Sequence, residues 1–249
     1  MLEVGGLRKA FGKREVLKGL DVAVRPGELT VVLGANGSGK STLLRCALRL
    51  IEPDDGDVSL CGVDLRTLKG EQLRLARRQA AMVFQSVLLV RRRTAHENVS
   101  FGGLGELRLH RSLATRTFPQ DLRSRAYEAL DRVGLAKYAD QRAGTLSGGQ
   151  AQRVAVARAL CQRARVILAD EPVASLDPRA ADSVLELLAD VAHNENLGVI
   201  VVLHQPELAR RYADRLVGFH DGRVAFDRPP TQVSDNEVDS LYGHDDDER

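Results

Sequence analysis

The chain has 249 residues, of which 43% are hydrophobic, enough for one α/β domain with an inserted subdomain to bury a substantial core. Lys and Arg number 36 against 34 Asp and Glu, and this near balance argues against a nucleic-acid-binding protein. The three cysteines have no CxxC spacing, and no apolar run is long enough to cross a bilayer. We therefore expect a soluble protein of a reducing compartment.

The N-terminal third predicts strands followed by one strand–loop–helix unit. Apolar and polar residues alternate over the first 30 positions, which predicts antiparallel strands with a turn at Pro26-Gly27. A buried strand is predicted at 29–33, then a glycine-rich loop at 34–40 and a helix at 41–51. Shorter strands are predicted at 58–60 and 81–84.

The character of the sequence changes after Gln85. Residues 86–145 are rich in Arg, Leu and Ala with little strand signal, which predicts an inserted helical subdomain. Strand signals return at 166–169 and 198–203, with a helical run at 180–194 between them, so the sheet is predicted to be mostly parallel. The predicted core domain, including the N-terminal β region, is 1–85 with 146–240, and the predicted disordered acidic tail is 241–249.

The sequence GANGSGKST, residues 34–42, matches the phosphate-loop pattern G-x-x-x-x-G-K-[ST] between a predicted strand and a predicted helix. Glycines let the backbone wrap a phosphate, Lys40 places charge on the β- and γ-phosphates, and Ser41 offers a hydroxyl to Mg²⁺. The alternative is a glycine-rich turn before a helix, but the strand–loop–helix context favours a nucleotide site. The predicted nucleotide contacts are Gly34, Ala35, Asn36, Gly37, Ser38, Gly39, Lys40, Ser41 and Thr42.

Two acidic residues, Asp170 and Glu171, follow the apolar strand predicted at 166–169. Ligands of open α/β sheets bind outside the carboxyl ends of the strands. In that position Asp170 is predicted to face Mg²⁺, and Glu171 to orient or deprotonate the attacking water. The alternative, a solvated acidic strand end, is common, but the upstream phosphate loop favours the catalytic interpretation.

A second glycine-containing stretch, TLSGGQAQR at residues 145–153, precedes a helical run over 150–160. Free backbone N–H groups at a helix N-terminus make an anion site. The alternative is that Ser147 simply caps the helix, which accounts for the serine but not for the paired glycines. The sequence therefore predicts two phosphate-binding loops in one small protein.

Taken in order, these motifs resemble those of the ATP-binding cassette (ABC) ATPases, and the resemblance covers nearly the whole chain. Its parts are the phosphate loop at 34–41, Gln85, LSGGQ at 146–150, LADE at 168–171, SLD at 175–177 and His204 after a strand. The resemblance implies a P-loop NTPase cassette of the α/β class. Such a cassette has a mostly parallel core sheet, an N-terminal antiparallel β region and an inserted α-helical subdomain.

The resemblance also implies why there are two loops. In this family two cassettes pack head to tail, and ATP on the phosphate loop of one is covered by the LSGGQ loop of the other. Since ADP lacks the γ-phosphate, it should hold such a homodimer together less well. The LSGGQ contacts implied are Ser147, Gly148, Gly149 and Gln150, and Asp177 is implied at the dimer seam.

Three further roles come from the resemblance. Gln85 resembles the residue that contacts Mg²⁺ and the attacking water and leads into the helical subdomain. His204 resembles the histidine that contacts the γ-phosphate. Phe11 stands where the family places an aromatic ring, usually tyrosine, on adenine; a core role for this Phe is the alternative.

The arginine-rich segment before residues 129–150 and the stretches at 168–178 and 203–230 resemble the phosphonate-import ATPases in particular, while residues after Gln85 depart from that group. The resemblance implies two transmembrane permease subunits, a periplasmic substrate-binding protein acting indirectly, and a peripheral location at the cytoplasmic face of the bacterial inner membrane. Arg91–Arg93 are expected either to face the membrane subunit or lipid headgroups, or to form a solvated basic patch.

Two alternatives stay open. One is an ABC ATPase that energises another solute, such as an amino acid, lipid or lipoprotein. The other is a soluble ABC protein acting on nucleic acid or ribosomes. Against the second, the chain has neither a second cassette nor long coiled coils, and we expect no nucleic-acid partner.

Overall fold

The structure is a computed structural model that describes residues 1–107 and 118–243. Its strands in chain order are β1 (Leu2–Phe11), β2 (Arg14–Val24), β3 (Glu28–Leu33), β4 (Asp55–Leu60), β5 (Val63–Asp64), β6 (Ala80–Val83), β7 (Val166–Asp170), β8 (Gly198–Val202), β9 (Arg215–His220) and β10 (Arg223–Arg228). Its α-helices are α1 (Lys40–Ala47), α2 (Gly70–Arg77), α3 (Ala95–Ser100), α4 (Gln120–Arg132), α5 (Gly148–Cys161), α6 (Pro178–Glu195), α7 (Pro206–Tyr212) and α8 (Asp235–Ser240).

The N-terminal alternation of apolar and polar residues produces an antiparallel sheet in the order β2-β1-β4-β5. Its apolar face, including Leu7 and Leu17, packs against Leu43 and Leu44 of α1. The predicted turn at Pro26-Gly27 is present, but it does not join two antiparallel strands of this sheet. The antiparallel hairpin reverses between Phe11 and Arg14, whereas Pro26-Gly27 connects β2 to β3 in the other sheet.

The second sheet has the order β10-β9-β3-β8-β7-β6. Its four inner pairings are parallel, and only β10 runs antiparallel, beside β9. All residues of β7 and β8 are buried, as expected for strands covered on both faces. The predicted mostly parallel core sheet is confirmed. Its carboxyl edge therefore brings together the ends of β3, β7 and β8, which carry the predicted site.

Helices α3 and α4 fall inside the predicted insertion at 86–145 and pack with α5. Leu122, Ala126 and Leu130 of α4 join the same apolar cluster as Leu29 of the core sheet. Residues 108–117 of the predicted insertion lie outside the described residues, and the division into domains stays a prediction.

Two predicted boundaries differ from the structure. Helix α1 ends at Ala47 rather than at 51, because Arg49 adopts a left-handed backbone (φ 50°) and its N–H bonds to the Cys46 carbonyl. The predicted tail starts too early, because Leu241 is 1% exposed and Tyr242 packs against the core. Its residues 244–249 lie outside the described residues.

Across the described ranges, no helix combines the length and apolar character that crossing a bilayer requires.

Candidate active site

The phosphate loop leaves the carboxyl end of β3 in a conformation that requires glycine. Gly34 has φ 155°, and a Cβ atom there would lie 2.1 Å from the Phe219 carbonyl oxygen of β9. Gly39 has φ 108° and directly precedes α1, whose N-terminus has no side-chain cap. The first N–H groups of α1 are therefore free to bind an anion.

Lys40, the first residue of α1, points its ammonium back into the loop. Its Nζ donates to the carbonyl oxygens of Gly34 at 2.8 Å and Ala35 at 2.7 Å. The side chain is buried, and this burial lowers the pKa of Lys40 to about 8, against the opposing pull of the Glu171 and Asp170 carboxylates. Because the Lys40 ammonium is shielded from water, it can exchange these carbonyl oxygens for phosphate oxygens when a nucleotide binds.

Asp170 at the end of β7 and Ser41 in α1 form an oxygen-rich pair. The Ser41 hydroxyl donates to Asp170 Oδ1 at 2.7 Å, and Asp170 is 6% exposed. Hydroxyl and carboxylate oxygens are the donors that Mg²⁺ prefers, so these residues fit a magnesium ion. Gln85, the third predicted ligand, is exposed beyond the end of β6, the strand paired with β7.

Glu171 and His204 face each other at the ends of β7 and β8. His204 Nε2 lies 2.5 Å from Glu171 Oε1, within hydrogen-bond distance. Glu171 has φ 51°, a left-handed backbone that glutamate seldom adopts and that is concentrated at functional sites. The strand ends thus present a carboxylate and an imidazole in contact beside the phosphate loop.

One cleft of about 350 Å³ unites nine of the predicted site residues. Phe11 at its rim is 49% exposed, so it is not a core residue. Lys9 Nζ lies 5.5 Å from the centroid of its ring. The predicted residues that line the cleft are Phe11, Asn36, Gly37, Gly39, Lys40, Ser41, Thr42, Glu171 and His204.

Sequence reasoning missed two residues that line the same cleft, Arg14 and Val16. Phe11 and Arg14 are direct cross-strand partners, so their side chains share one face of the hairpin. Val16 stands at a register shift of the hairpin, between the Lys9–Leu17 and Ala10–Glu15 pairs, and it lines the cleft as well. The sequence around Arg14 and Val16 carries no signal for this placement, because it follows from the hairpin register and its shift.

The second glycine loop begins α5. Ser147 is its N-cap and forms a capping box: Gln150 N–H donates to Ser147 Oγ, and Ser147 N–H donates to Gln150 Oε1. The glycines pack closely on the start of α6. A Cβ atom at Gly149 would lie 3.1 Å from Ala180 Cβ, and one at Gly148 would lie 3.0 Å from Leu176 Cδ2.

Asp177 sits beside this loop as the N-cap of α6, where its carboxylate accepts from the Ala180 N–H at 3.0 Å. Ser147, Gly149 and Gln150 line a depression with Ala180 that shares no residue with the cleft at the phosphate loop. The two predicted anion sites of one chain therefore open on separate surfaces.

Fold and site together define a P-loop nucleotide-binding protein. The family model described as ABC transporter matches residues 17–174, more than half of the chain. The chain belongs to this family, and it is an ATP-binding cassette with ATPase activity.

Two relatives are similar over nearly the full length. The phosphonates import ATP-binding protein of Ruegeria sp. strain TM1040 is 47% identical over 243 residues, covering 97% of this chain and 94% of the relative. The phosphate-import ATP-binding protein of Mycolicibacterium smegmatis is 49% identical over 234 residues, covering 94% of this chain and 89% of the relative. A solved structure shows a dimeric ATP-binding cassette in a post-hydrolysis state, bound to ADP and phosphate. It is 30% identical to this chain with a TM-score of 0.78, and the match covers 92% of this chain and 99% of that structure's chain.

The lowered pKa of Lys40, about 8, predicts pH-dependent nucleotide binding. A bound phosphate favours the ammonium form, so the loss of the Lys40 proton should make ADP affinity fall by up to about tenfold per pH unit above pH 8. Calorimetry of ADP binding between pH 6.5 and 9 measures this, and at pH 8 it should detect proton uptake. Lys40→Ala should abolish both effects. Equal affinity of the wild type at pH 7 and pH 9 would contradict the assignment.

Proposed function

We propose that two copies of this cassette couple ATP hydrolysis to the import of a phosphonate or a related phosphorus oxyanion. The observation that carries the proposal is the pair of near-full-length relatives, whose names specify import of phosphonates and of phosphate. A cassette of this family acts on ATP rather than on the transported solute, so the substrate class rests on kinship.

Nucleotide binding is assigned to the cleft at the phosphate loop. Phe11 stacks on the adenine, and the α1 N-terminus with the loop N–H groups holds the phosphates. Lys40 moves its ammonium from the Gly34 and Ala35 carbonyls to the β- and γ-phosphates. Ser41, Asp170 and Gln85 would hold Mg²⁺, which neutralises charge on the transferring phosphoryl group.

Hydrolysis is assigned to the contact between Glu171 and His204. The Glu171 carboxylate orients the attacking water and accepts its proton. Before ATP binds, the hydrogen bond between Glu171 and His204 holds both side chains at the carboxyl edge of the sheet, next to the buried ammonium of Lys40. With ATP bound, the His204 Nε2–H donates to the γ-phosphate instead, which leaves the Glu171 carboxylate free to accept the proton. Water, base and phosphate are thereby brought together without rearrangement of the strands.

Completion of the site is assigned to a second cassette. The depression at Ser147 and the cleft at the phosphate loop are separate within one chain, so a head-to-tail homodimer brings them together. Ser147, Gly148, Gly149 and Gln150 then cover the γ-phosphate bound to the partner, and Asp177 lies at the seam. A related cassette has been solved as a dimer with ADP and phosphate. Loss of the γ-phosphate removes this contact and opens the dimer.

Docking on the permease is assigned to the exposed segment after Gln85. Leu88 and Val90 are 61% and 49% exposed, although both are apolar. Arg93 pairs with Glu97, whereas Arg91 and Arg92 have no ion pair among the described residues. An apolar and acidic cytoplasmic loop of each of two transmembrane subunits fits this surface. The cassette is then peripheral, on the cytoplasmic face of the bacterial inner membrane, with a periplasmic protein delivering the anion.

Replacing Glu171 by Gln should preserve ATP binding and block hydrolysis, because the amide keeps the shape and loses the base. The variant should therefore accumulate as an ATP-bound dimer, visible as a shift to dimer mass in size-exclusion chromatography with ATP and Mg²⁺. Lys40→Ala is the matched control and should remain monomeric. Hydrolysis by Glu171→Gln at the wild-type rate would exclude Glu171 as the base.

A strain that lacks this gene should grow poorly with a phosphonate, phosphite or phosphate as its only phosphorus source at limiting concentration. The wild-type gene should restore growth, and a Glu171→Gln copy should not. Uptake of the labelled anion measures the same defect directly. Unimpaired uptake of all three anions in a strain without a second transporter would overturn the substrate class and favour import of another solute.

A further inference from the structure

The cleft at the phosphate loop contains a second cation that none of the motifs specifies. Arg14 is the first residue of β2, and it lines the cleft between Phe11 and the phosphate loop. A Cβ atom built on Gly37 would lie 3.8 Å from Arg14 Nη2, which places the guanidinium beside the exposed side of the loop. Lys40 approaches the same loop from its buried side.

The β1–β2 hairpin fixes the direction of Arg14. Arg14 is the cross-strand partner of Phe11, so the two side chains leave the same face of the hairpin. Glu15 lies on the other face, where it pairs with Arg8 at 2.9 Å. Val16, at a register shift of the hairpin, also lines the cleft. One face of the hairpin thus carries the Phe11 ring, which is proposed to stack on adenine, and beside it the Arg14 guanidinium, which faces the phosphate loop.

Arg14 also differs from the neighbouring cations in its ion pairing. Neighbouring cations have carboxylate partners: Lys9 pairs with Asp54 at 2.7 Å and Lys18 with Asp221 at 2.5 Å. Within residues 1–107 and 118–243, the Arg14 guanidinium has no ion pair or hydrogen bond. A solvated cation that faces a phosphate loop and has no internal partner needs to break no existing contact to bind an anion.

We propose that Arg14 is a nucleotide-binding residue that donates to the phosphate chain of ATP from the open side of the cleft. A guanidinium presents a planar fork of N–H donors that matches two phosphate oxygens, whereas an ammonium acts as a point charge. Lys40 and Arg14 would then hold the phosphates from opposite sides. The inference rests on ATP binding by the cassette, and it is independent of which solute is transported.

The experiment compares Arg14→Gln with Lys13→Gln, which removes the same charge from the neighbouring, exposed residue that does not line the cleft. Calorimetry with ADP at 50 and 300 mM salt gives the dissociation constants, and steady-state kinetics give KM and kcat for ATP. Arg14→Gln should raise the ADP dissociation constant and the ATP KM by roughly five- to tenfold at low salt, on the scale of one typical hydrogen bond, because the contact is exposed to solvent. Its kcat at saturating ATP should change less than about twofold, because Glu171 and His204 remain.

The controls separate this contact from other effects. Lys13→Gln should stay within about twofold of the wild type, and Arg14→Lys should be intermediate, because it keeps the charge and loses the fork. The ratio of the ADP dissociation constant of Arg14→Gln to that of the wild type should be smaller at high salt, because salt screens an exposed contact. Nucleotide-free melting temperatures should match. An ADP dissociation constant for Arg14→Gln equal to that of Lys13→Gln, or a ratio to the wild type that salt does not change, would overturn the proposal.

Discussion

One chain holds its phosphate loop and its LSGGQ loop apart, and the proposed function of the cassette depends on this separation. The first loop is fixed at the carboxyl edge of the parallel sheet by the close approach of Gly34 to the Phe219 carbonyl. The second is fixed at the junction of α5 and α6 by the capping box at Ser147 and the contact of Gly149 with Ala180. Close packing and capping thus fix both positions within the fold. A second chain is therefore the proposed source of the LSGGQ loop that faces each phosphate loop.

The chemistry at the first loop depends on charges that the sheet places in register. Parallel strands β7 and β8 end side by side, so Asp170, Glu171 and His204 reach the same edge as the buried Lys40. Carboxylates beside the ammonium favour its charged form against the cost of burial. The same residues are proposed to act on the nucleotide, so the network that keeps Lys40 charged is also the network that positions the phosphate and the water.

Much of this arrangement could be predicted from the sequence. The alternation of apolar strands with helical runs gave the parallel sheet, and the glycines at Gly34 and Gly39 marked backbone that other residues cannot adopt. Less could be predicted where position depends on partners distant in sequence. The position of Arg14 in the cleft depends on the hairpin register, and the end of α1 depends on the backbone conformation of Arg49. The burial of Leu241 depends on the fold of the whole core. The packing of Gly148 and Gly149 against α6 could likewise not be read from their own neighbours.

Mixing two inactive chains tests most directly whether the two loops act in trans. Lys40→Ala removes the cation of the first loop, and Gly148→Asp places a negative charge in the second. In the mixed dimer one site carries both lesions and the other carries neither, so ATPase activity should partly recover, and differently tagged chains should co-purify with ATP. The contradictory result is a mixed dimer, demonstrated by co-purification, that remains as inactive as either chain alone.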